Sequence, residues 1–387
     1  MSLKTKADAL LRMATESGDV PGVVAVATDR NGPIYEGGFG LRVLGEPAEM
    51  TPDTVVWIAS MTKALTGTAA MQLVEQGKLA LDMPASGVIP ELGEAVVLEG
   101  FDADGQPRTR APKRAITLRH LLTHTAGFAY EFWNADVARY QQVKGLPPII
   151  SCQNATLALP LHFDPGDRWE YGINIDWVGK IVEAVSGKKL GTYLSENVFG
   201  PLGMNDTAFR ITPAMRQRLA KIHRRGDDGA LVPADLEIPQ DPEFEMGGGG
   251  LYATAGDYLK FVRMMLNHGS AGSEQVLKPD TVELMSRNAM GDCKVTMLHT
   301  VSPAVSNDAE FFPGMPKGWG LTFMINNEQA PTGRSAGSLA WAGLANTYYW
   351  IDLTRGLGGV YATQIFPFAD HKALPLFFEF EKTVYQG

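Results

Sequence analysis

Ser60 and Lys63 stand three residues apart in the run Ser60-Met61-Thr62-Lys63. The run follows the apolar Val55-Val56-Trp57-Ile58-Ala59 and leads into Ala64-Leu65-Thr66-Gly67-Thr68-Ala69-Ala70-Met71, which reads as a helix. Three residues along a helix is close to one turn, so the hydroxyl and the amine share a face. A hydroxyl beside an amine that can take its proton is the arrangement of an activated nucleophile. At a helix start the dipole also favours negative charge developing on the serine oxygen. The chemistry this supports is acyl transfer through a serine ester.

Spacing alone does not single out a site, because Ser186-Gly187-Lys188-Lys189 repeats it. There Gly187 marks a helix end, where hydroxyl and amine need not share a face. A plain helix-capping hydroxyl is the other reading of Ser60. Two further features bear on the choice. Tyr171, in Trp169-Glu170-Tyr171-Gly172-Ile173-Asn174, stands just ahead of an expected helix over 173–186. Its phenol could face a cleft or simply pack at an interface. Gly343, in Trp341-Ala342-Gly343-Leu344, interrupts a late strand, as glycine does where backbone or ligand passes close, or at a bulge.

Three other patterns suggest different chemistry and are set aside. Gly333-Arg334-Ser335-Ala336-Gly337 has the form of a nucleophile elbow, with Asp352 and His371 following in triad order. That elbow needs a helix directly after the serine, whereas the strand-like Leu339-Ala340-Trp341 follows. His120 and His124 have metal-ligand spacing on a helix, but Leu121 stands where a zinc protease needs its glutamate. A helix-end packing residue and a loop hydrogen-bonder are their expected roles. The Gly247–Gly250 run lacks the Gly-Lys-Ser/Thr of a phosphate loop. It is expected to let backbone pass close to the site, with Thr254 and Asp257 capping the next helix.

The elements that must carry these residues begin with an amphipathic helix over 3–17. A buried strand over 23–28 and a second over 34–39 are joined by the Asn31-Gly32 turn. From about residue 83 the pattern changes. A surface hairpin is expected around 102–107, a short helix over 118–124 capped by Thr117, and helices over 173–186 and 189–198. Strand-like runs return at 318–325, 338–341, 347–352 and 358–364, and residues 371–384 suit a closing helix. The expected architecture is α+β: an antiparallel sheet flanked by helices, built from 1–82 and 246–387. A mostly helical insert spans 83–245, and the cleft between the two units is the natural ligand site.

Composition narrows the function classes. The 387 residues are 45% hydrophobic and 20% charged, enough apolar content for a large core. The net charge of −9, spread without long runs, leaves no electrostatic footprint for nucleic acid. Cys152 and Cys293 are too few for a disulfide framework, and no Cys-x-x-Cys pair suggests structural zinc. The first residues carry lysines and an aspartate where a signal peptide needs an apolar core, and no run reaches membrane-spanning length. A cytoplasmic protein without metal or cofactor is expected, and a homo-oligomer is left open.

Taken together, the order and separation of the Ser60, Tyr171 and Gly343 motifs resemble the serine β-lactamase and penicillin-recognising superfamily, most closely the class C-like family VIII carboxylesterases. The stretches 118–127, 247–258 and 342–347 agree, and the resemblance runs over roughly 8–370. It implies Ser60 as acylated nucleophile, with Lys63 and Tyr171 sharing its proton and returning it to the leaving alcohol. For Lys63 to serve as the base, its pKa must fall by about three units, roughly 4 kcal/mol. A charged Lys63 would instead favour a Tyr171 phenolate as the base. The N–H groups of Ser60 and Leu344 would form the oxyanion hole.

Departures from that family's pattern shape the expected substrate. Trp341 stands where enzymes acting on β-lactams resemble one another in carrying a lysine. Ile173 stands where their Tyr-x-Asn motif has its amide, with Asn174 one residue late. Both changes remove polar handles for a carboxylated amide and leave an apolar acyl pocket around Trp341, Gly343 and Ile173. Hydrolysis of short-chain acyl esters is therefore the expected activity. The alternatives are a β-lactamase or D-alanyl-D-alanine peptidase-like enzyme, and a silent binding scaffold that would lack one of Ser60, Lys63 or Tyr171.

Overall fold

The strand β1 (Gly22–Asp29) shows no polar alternation, and in the computed structural model, which describes residues 1–387, seven of its eight residues are buried. Both of its faces are covered, so every side chain must be apolar or small. It pairs with β2 (Pro33–Gly40) across the expected turn. The remaining strands come from the far end of the chain: β3 (Lys317–Trp319), β4 (Met324–Asn326), β5 (Leu339–Gly343), β6 (Thr347–Asp352) and β7 (Leu357–Ala362). The seven form one sheet in the order β3-β4-β5-β6-β7-β1-β2, antiparallel at every junction.

Helices cover both faces. On one face lie α1 (Leu3–Glu16) and α5 (Ala373–Tyr385), whose Phe377 stacks on Tyr348 at 4.7 Å between centroids and whose Phe380 meets Trp350. On the other lies α4 (Ala255–Leu266), whose Tyr258 packs against Tyr349 at 5.1 Å. Tyr348 and Trp350 thus face one layer and Tyr349 the other, the two-residue period of a strand. Helix α2 (Thr62–Glu75) is buried from Thr62 to Leu73 on all sides, which its even spread of apolar and small residues allows. It packs against α3 (Asn174–Ser186).

Two expectations are corrected. The run expected as one strand over 318–325 is the β3–β4 hairpin. Leu321 N–H donates to Met285 O at 3.0 Å and Thr322 N–H to Leu122 O at 3.1 Å, which draws the tip out of the ladder. Thr322 takes a φ of 82° there. The stretch expected to be mostly helical also holds a strand pair, Ile222–Arg225 with Leu231–Ala234, turned at Gly226-Asp227-Asp228-Gly229. Ile222–Arg225 runs parallel to Ile365–Phe366, so this part of the middle segment joins the C-terminal strands.

Candidate active site

The chain enters the site along Val55–Trp57, whose last residue is clamped by a distant amide: Trp57 N–H donates to Gln364 Oε1, and Gln364 Nε2 donates to Trp57 O, both at 3.0 Å. It then turns sharply at Ala59, whose φ of 44° is unusual for a residue with a Cβ and marks stored strain. A single tight turn over Ala59–Met61 carries Ser60 to the mouth of α2. Ser60 is half-buried, and its Oγ accepts from Lys63 Nζ at 3.1 Å.

Lys63 is 1% exposed, with its three N–H donors matched to three acceptors. They are Ser60 Oγ, Tyr130 Oη at 2.9 Å and Gly248 O at 2.6 Å. No carboxylate lies within ion-pair distance. Burial draws the amine down from 10.5 to about 7, opposed by the charge of Asp176. The amine also lies 4.6 Å from the centre of the Tyr171 ring.

Tyr171 is buried, and its oxygen accepts from Trp341 Nε1 at 2.7 Å. Burial raises its phenol above the ordinary range, while hydrogen bonds from Ser60 and Trp341 act the other way. Trp341 therefore does more than wall the pocket. It supplies an N–H donor to the phenol without bringing a charge.

Gly343 ends β5, opposite Thr347. A Cβ there would sit 2.2 Å from Ile58 O and 2.2 Å from Thr347 Oγ1, so the glycine lets backbone, not ligand, pass close. Leu344 follows at the cavity wall, and neither its N–H nor that of Ser60 has a protein acceptor.

Ile173 is a correction. It is fully buried and does not line the cavity, because the turn at Tyr171-Gly172 carries it into the core before α3 begins. The neighbouring Asn174 amide meets His124 Nδ1 at 3.0 Å and Phe128 O at 3.3 Å, tying the tyrosine turn to the loop that carries Tyr130.

The cavity before Ser60 encloses about 480 Å³ including its mouth, and thirteen of its seventeen lining residues are hydrophobic. Sequence reasoning missed much of that lining, above all Tyr130, Phe132 and Trp133. The aromatic density of Tyr130-Glu131-Phe132-Trp133, directly after the loop of His124, was the available signal. The missed Asp176 is fully buried on α3 and accepts from Gly248 N–H at 2.8 Å. No group of three or more His, Cys, Asp or Glu side chains gathers as a metal site.

The set-aside patterns fall elsewhere. Asp352 accepts from Ser335 N–H and Tyr385 Oη, and His371 is exposed, so no triad forms. His120 completes the capping box of Thr117, and Thr254 caps α4 by accepting from Asp257 N–H. Asp257 itself accepts from Asp206 N–H instead of closing a capping box. Gly248 is where the glycine run meets the site, through its carbonyl to Lys63.

The β-lactamase family model matches residues 7–377. The ML-236A carboxylate methylbutanoyltransferase mlcH of Penicillium citrinum is 33% identical, over 98% of this chain and 93% of its own. The lovastatin esterase of Penicillium rubens is 33% identical, over 92% of each chain. Among solved structures, a mutant of simvastatin synthase from Aspergillus terreus superposes with a TM-score of 0.86 at 31% identity, covering 99% of this chain and 96% of that one. No helix is long and apolar enough to cross a membrane. With a family match over nearly its whole length and relatives alike from end to end, the chain belongs to the β-lactamase family, as a serine hydrolase of that fold related to fungal acyltransferases and an esterase.

Proposed function

We propose that this protein hydrolyses short-chain acyl esters through an acyl-enzyme on Ser60. The observation that carries the reading is the contact of a buried Lys63, which has no carboxylate within ion-pair distance, with Ser60 Oγ at 3.1 Å, before an apolar cavity. Near neutrality a large share of Lys63 is the free amine, while the Tyr171 phenol is held neutral, which makes Lys63 the better proton acceptor. Ser60 Oγ forms its bond to the ester carbonyl carbon as its proton passes to Lys63. The carbonyl oxygen gains the electron pair and sits between the N–H groups of Ser60 and Leu344, each worth about 3 kcal/mol to such an oxyanion.

Collapse of that intermediate breaks the bond to the alkoxy oxygen. The alkoxy oxygen takes back the proton shared between Lys63 and Tyr171, which leaves Lys63 as the free amine and Tyr171 as the phenol. Trp341 steadies the Tyr171 oxygen during the moment it carries charge. Water then attacks the acyl-enzyme by the same path in reverse and releases the acid.

The ester and acyl-group activities in the relatives' names agree with this chemistry. A second reading, transfer of the acyl group to an alcohol, is favoured by the apolar lining, which leaves few groups to hold a water. The β-lactam alternative is weakened by Trp341, which brings no cation for a carboxylate. The site would lie in the cleft between the unit formed by 1–82 with 246–387 and the insert 83–245. Two free cysteines fit a reducing cytoplasm.

Brief exposure to p-nitrophenyl butyrate followed by mass spectrometry tests the proposal. A butyryl adduct on Ser60 that turns over, and its loss in Ser60→Ala, is the expected result. Full activity in Ser60→Ala would sink it. A long-lived cephalosporin adduct with little ester turnover would move the protein to the penicillin-binding class.

A further inference from the structure

Helix α3 places an acid in its first turn, where such a residue ordinarily faces water and complements the helix dipole. Asp176 does the reverse. It is 0% exposed, and it points to the backbone of Gly248. Its Oδ1 accepts from Gly248 N–H at 2.8 Å, and its buried Oδ2 has no partner. The same Gly248 uses its carbonyl to accept from Lys63 Nζ at 2.6 Å. Residue 248 has to be glycine, because a Cβ would lie 2.5 Å from Asp176 Oδ2. One residue without a side chain thus bridges a buried carboxyl and a buried amine that do not touch.

We propose that Asp176 is a positioning residue for Lys63: from behind Gly248 its buried carboxylate sets the pH at which Lys63 can take the proton of Ser60. This rests on the reading of Ser60 and Lys63 given above. The other groups facing the amine carry no competing charge near neutrality. Tyr130 and Tyr171 are held neutral by burial, and burial together with Lys63 holds His124 well below its ordinary range. Glu131 is buried and pushed upward, and it acts on Asp176 and Tyr130. Burial pushes the Asp176 carboxyl up to about 6, opposed by the charge of Lys63, so it is ionised near neutrality and there favours the ammonium form of Lys63. Burial alone would leave the amine a poorer partner for a returning proton; the carboxylate offsets this.

Asp176→Asn keeps an oxygen for Gly248 N–H and removes the charge. In kcat/KM for p-nitrophenyl butyrate measured against pH, the acid limb should move down by about one unit or more, because Lys63 then sheds its proton more readily. A carboxyl that served packing alone would lower the rate at every pH and leave the limb in place, and that result overturns the proposal. If Asp176→Asn does not fold, Asp176→Ser, which also removes the charge and keeps an oxygen for Gly248 N–H, is measured instead. There a limb displaced downward supports the proposal, and the parent's limb overturns it. Ser60→Ala is assayed alongside. Activity surviving in it would remove the underlying reading and this proposal together. An inert Ser60→Ala with an unmoved Asp176→Asn limb would remove this proposal alone.

Discussion

The Trp341 indole Nε1–H donates to the Tyr171 oxygen across 2.7 Å, joining the last strand of the site to the turn ahead of α3. A neutral donor here steadies charge on the phenol without offering a binding site for an anionic substrate. Trp341→Phe keeps the ring and removes the N–H. A hydrogen bond to a group gaining charge contributes about 1.5–3 kcal/mol, roughly 10- to 150-fold in rate. We expect kcat for p-nitrophenyl butyrate to fall by that order with KM little changed. A change confined to KM would leave Trp341 as a wall of the pocket only.

With Lys63 as the proposed proton acceptor, the pH dependence of the parent enzyme follows from its amine. That amine is drawn down to about 7, and only the neutral form accepts a proton. Below that value the free-amine fraction falls about tenfold per pH unit, so log kcat/KM should rise with unit slope toward pH 7 and flatten above it. Lys63→Arg stays charged throughout and should lose about 10²–10⁴-fold in rate. A flat parent profile between pH 5 and 8, as read by initial rates, would assign the proton to another group.

Gly343 and Gly256 form a matched pair for substitution. Gly343→Ala drives a methyl into Ile58 O and Thr347 Oγ1 and must displace the backbone leading to Ser60. It should cost about 1–3 kcal/mol of stability and most of the activity. Gly256, in the first turn of α4, has nothing within 4 Å of its would-be Cβ. Gly256→Ala should leave activity intact and raise stability by up to about 1 kcal/mol. Thermal melts and esterase rates on both variants check this.

The elbow-like run at 333–337 makes a separate stability prediction. Arg334 pairs with Glu381 through two hydrogen bonds of 2.9 and 3.0 Å, with both side chains almost wholly buried. Arg334→Met strands that carboxylate and should cost about 3–5 kcal/mol in denaturant melts. Ser335→Ala, in contrast, should leave ester hydrolysis unchanged. A large loss of kcat in Ser335→Ala would reinstate the elbow reading.

What could be read from the sequence divides by how local its cause is. Ser60 and Lys63 are about one helical turn apart, so their meeting is a property of the tight turn over Ala59–Met61 and the start of α2 that follows it. The β1–β2 hairpin, the cap at Thr117 and the end of α3 at Gly187 are equally local, and the structure has all three. Tyr130 and Asp176 reach Lys63 and Gly248 from segments brought near only by packing, and no spacing announces them. Asp176 even has the sequence appearance of an ordinary helix-start acid. Ile173 failed for a related reason: a shift of one residue at the start of α3 decides whether a side chain faces cavity or core. The split of 318–325 was equally hidden, since the carbonyls that bend it belong to Met285 and Leu122.

The clamp of Gln364 on Trp57 joins residues 307 positions apart, and the strand that brings Gly343 against Ile58 is nearly as remote. During synthesis, Ser60, Lys63 and Tyr171 have all left the ribosome while Trp341, Leu344 and Gln364 are still unmade. At that stage the hydroxyl has its amine but neither the strained approach nor the wall that completes its pocket. On the proposed reading of Ser60, reactivity therefore arrives with the closing of the sheet, and a growing chain should not consume esters before it has finished being a fold.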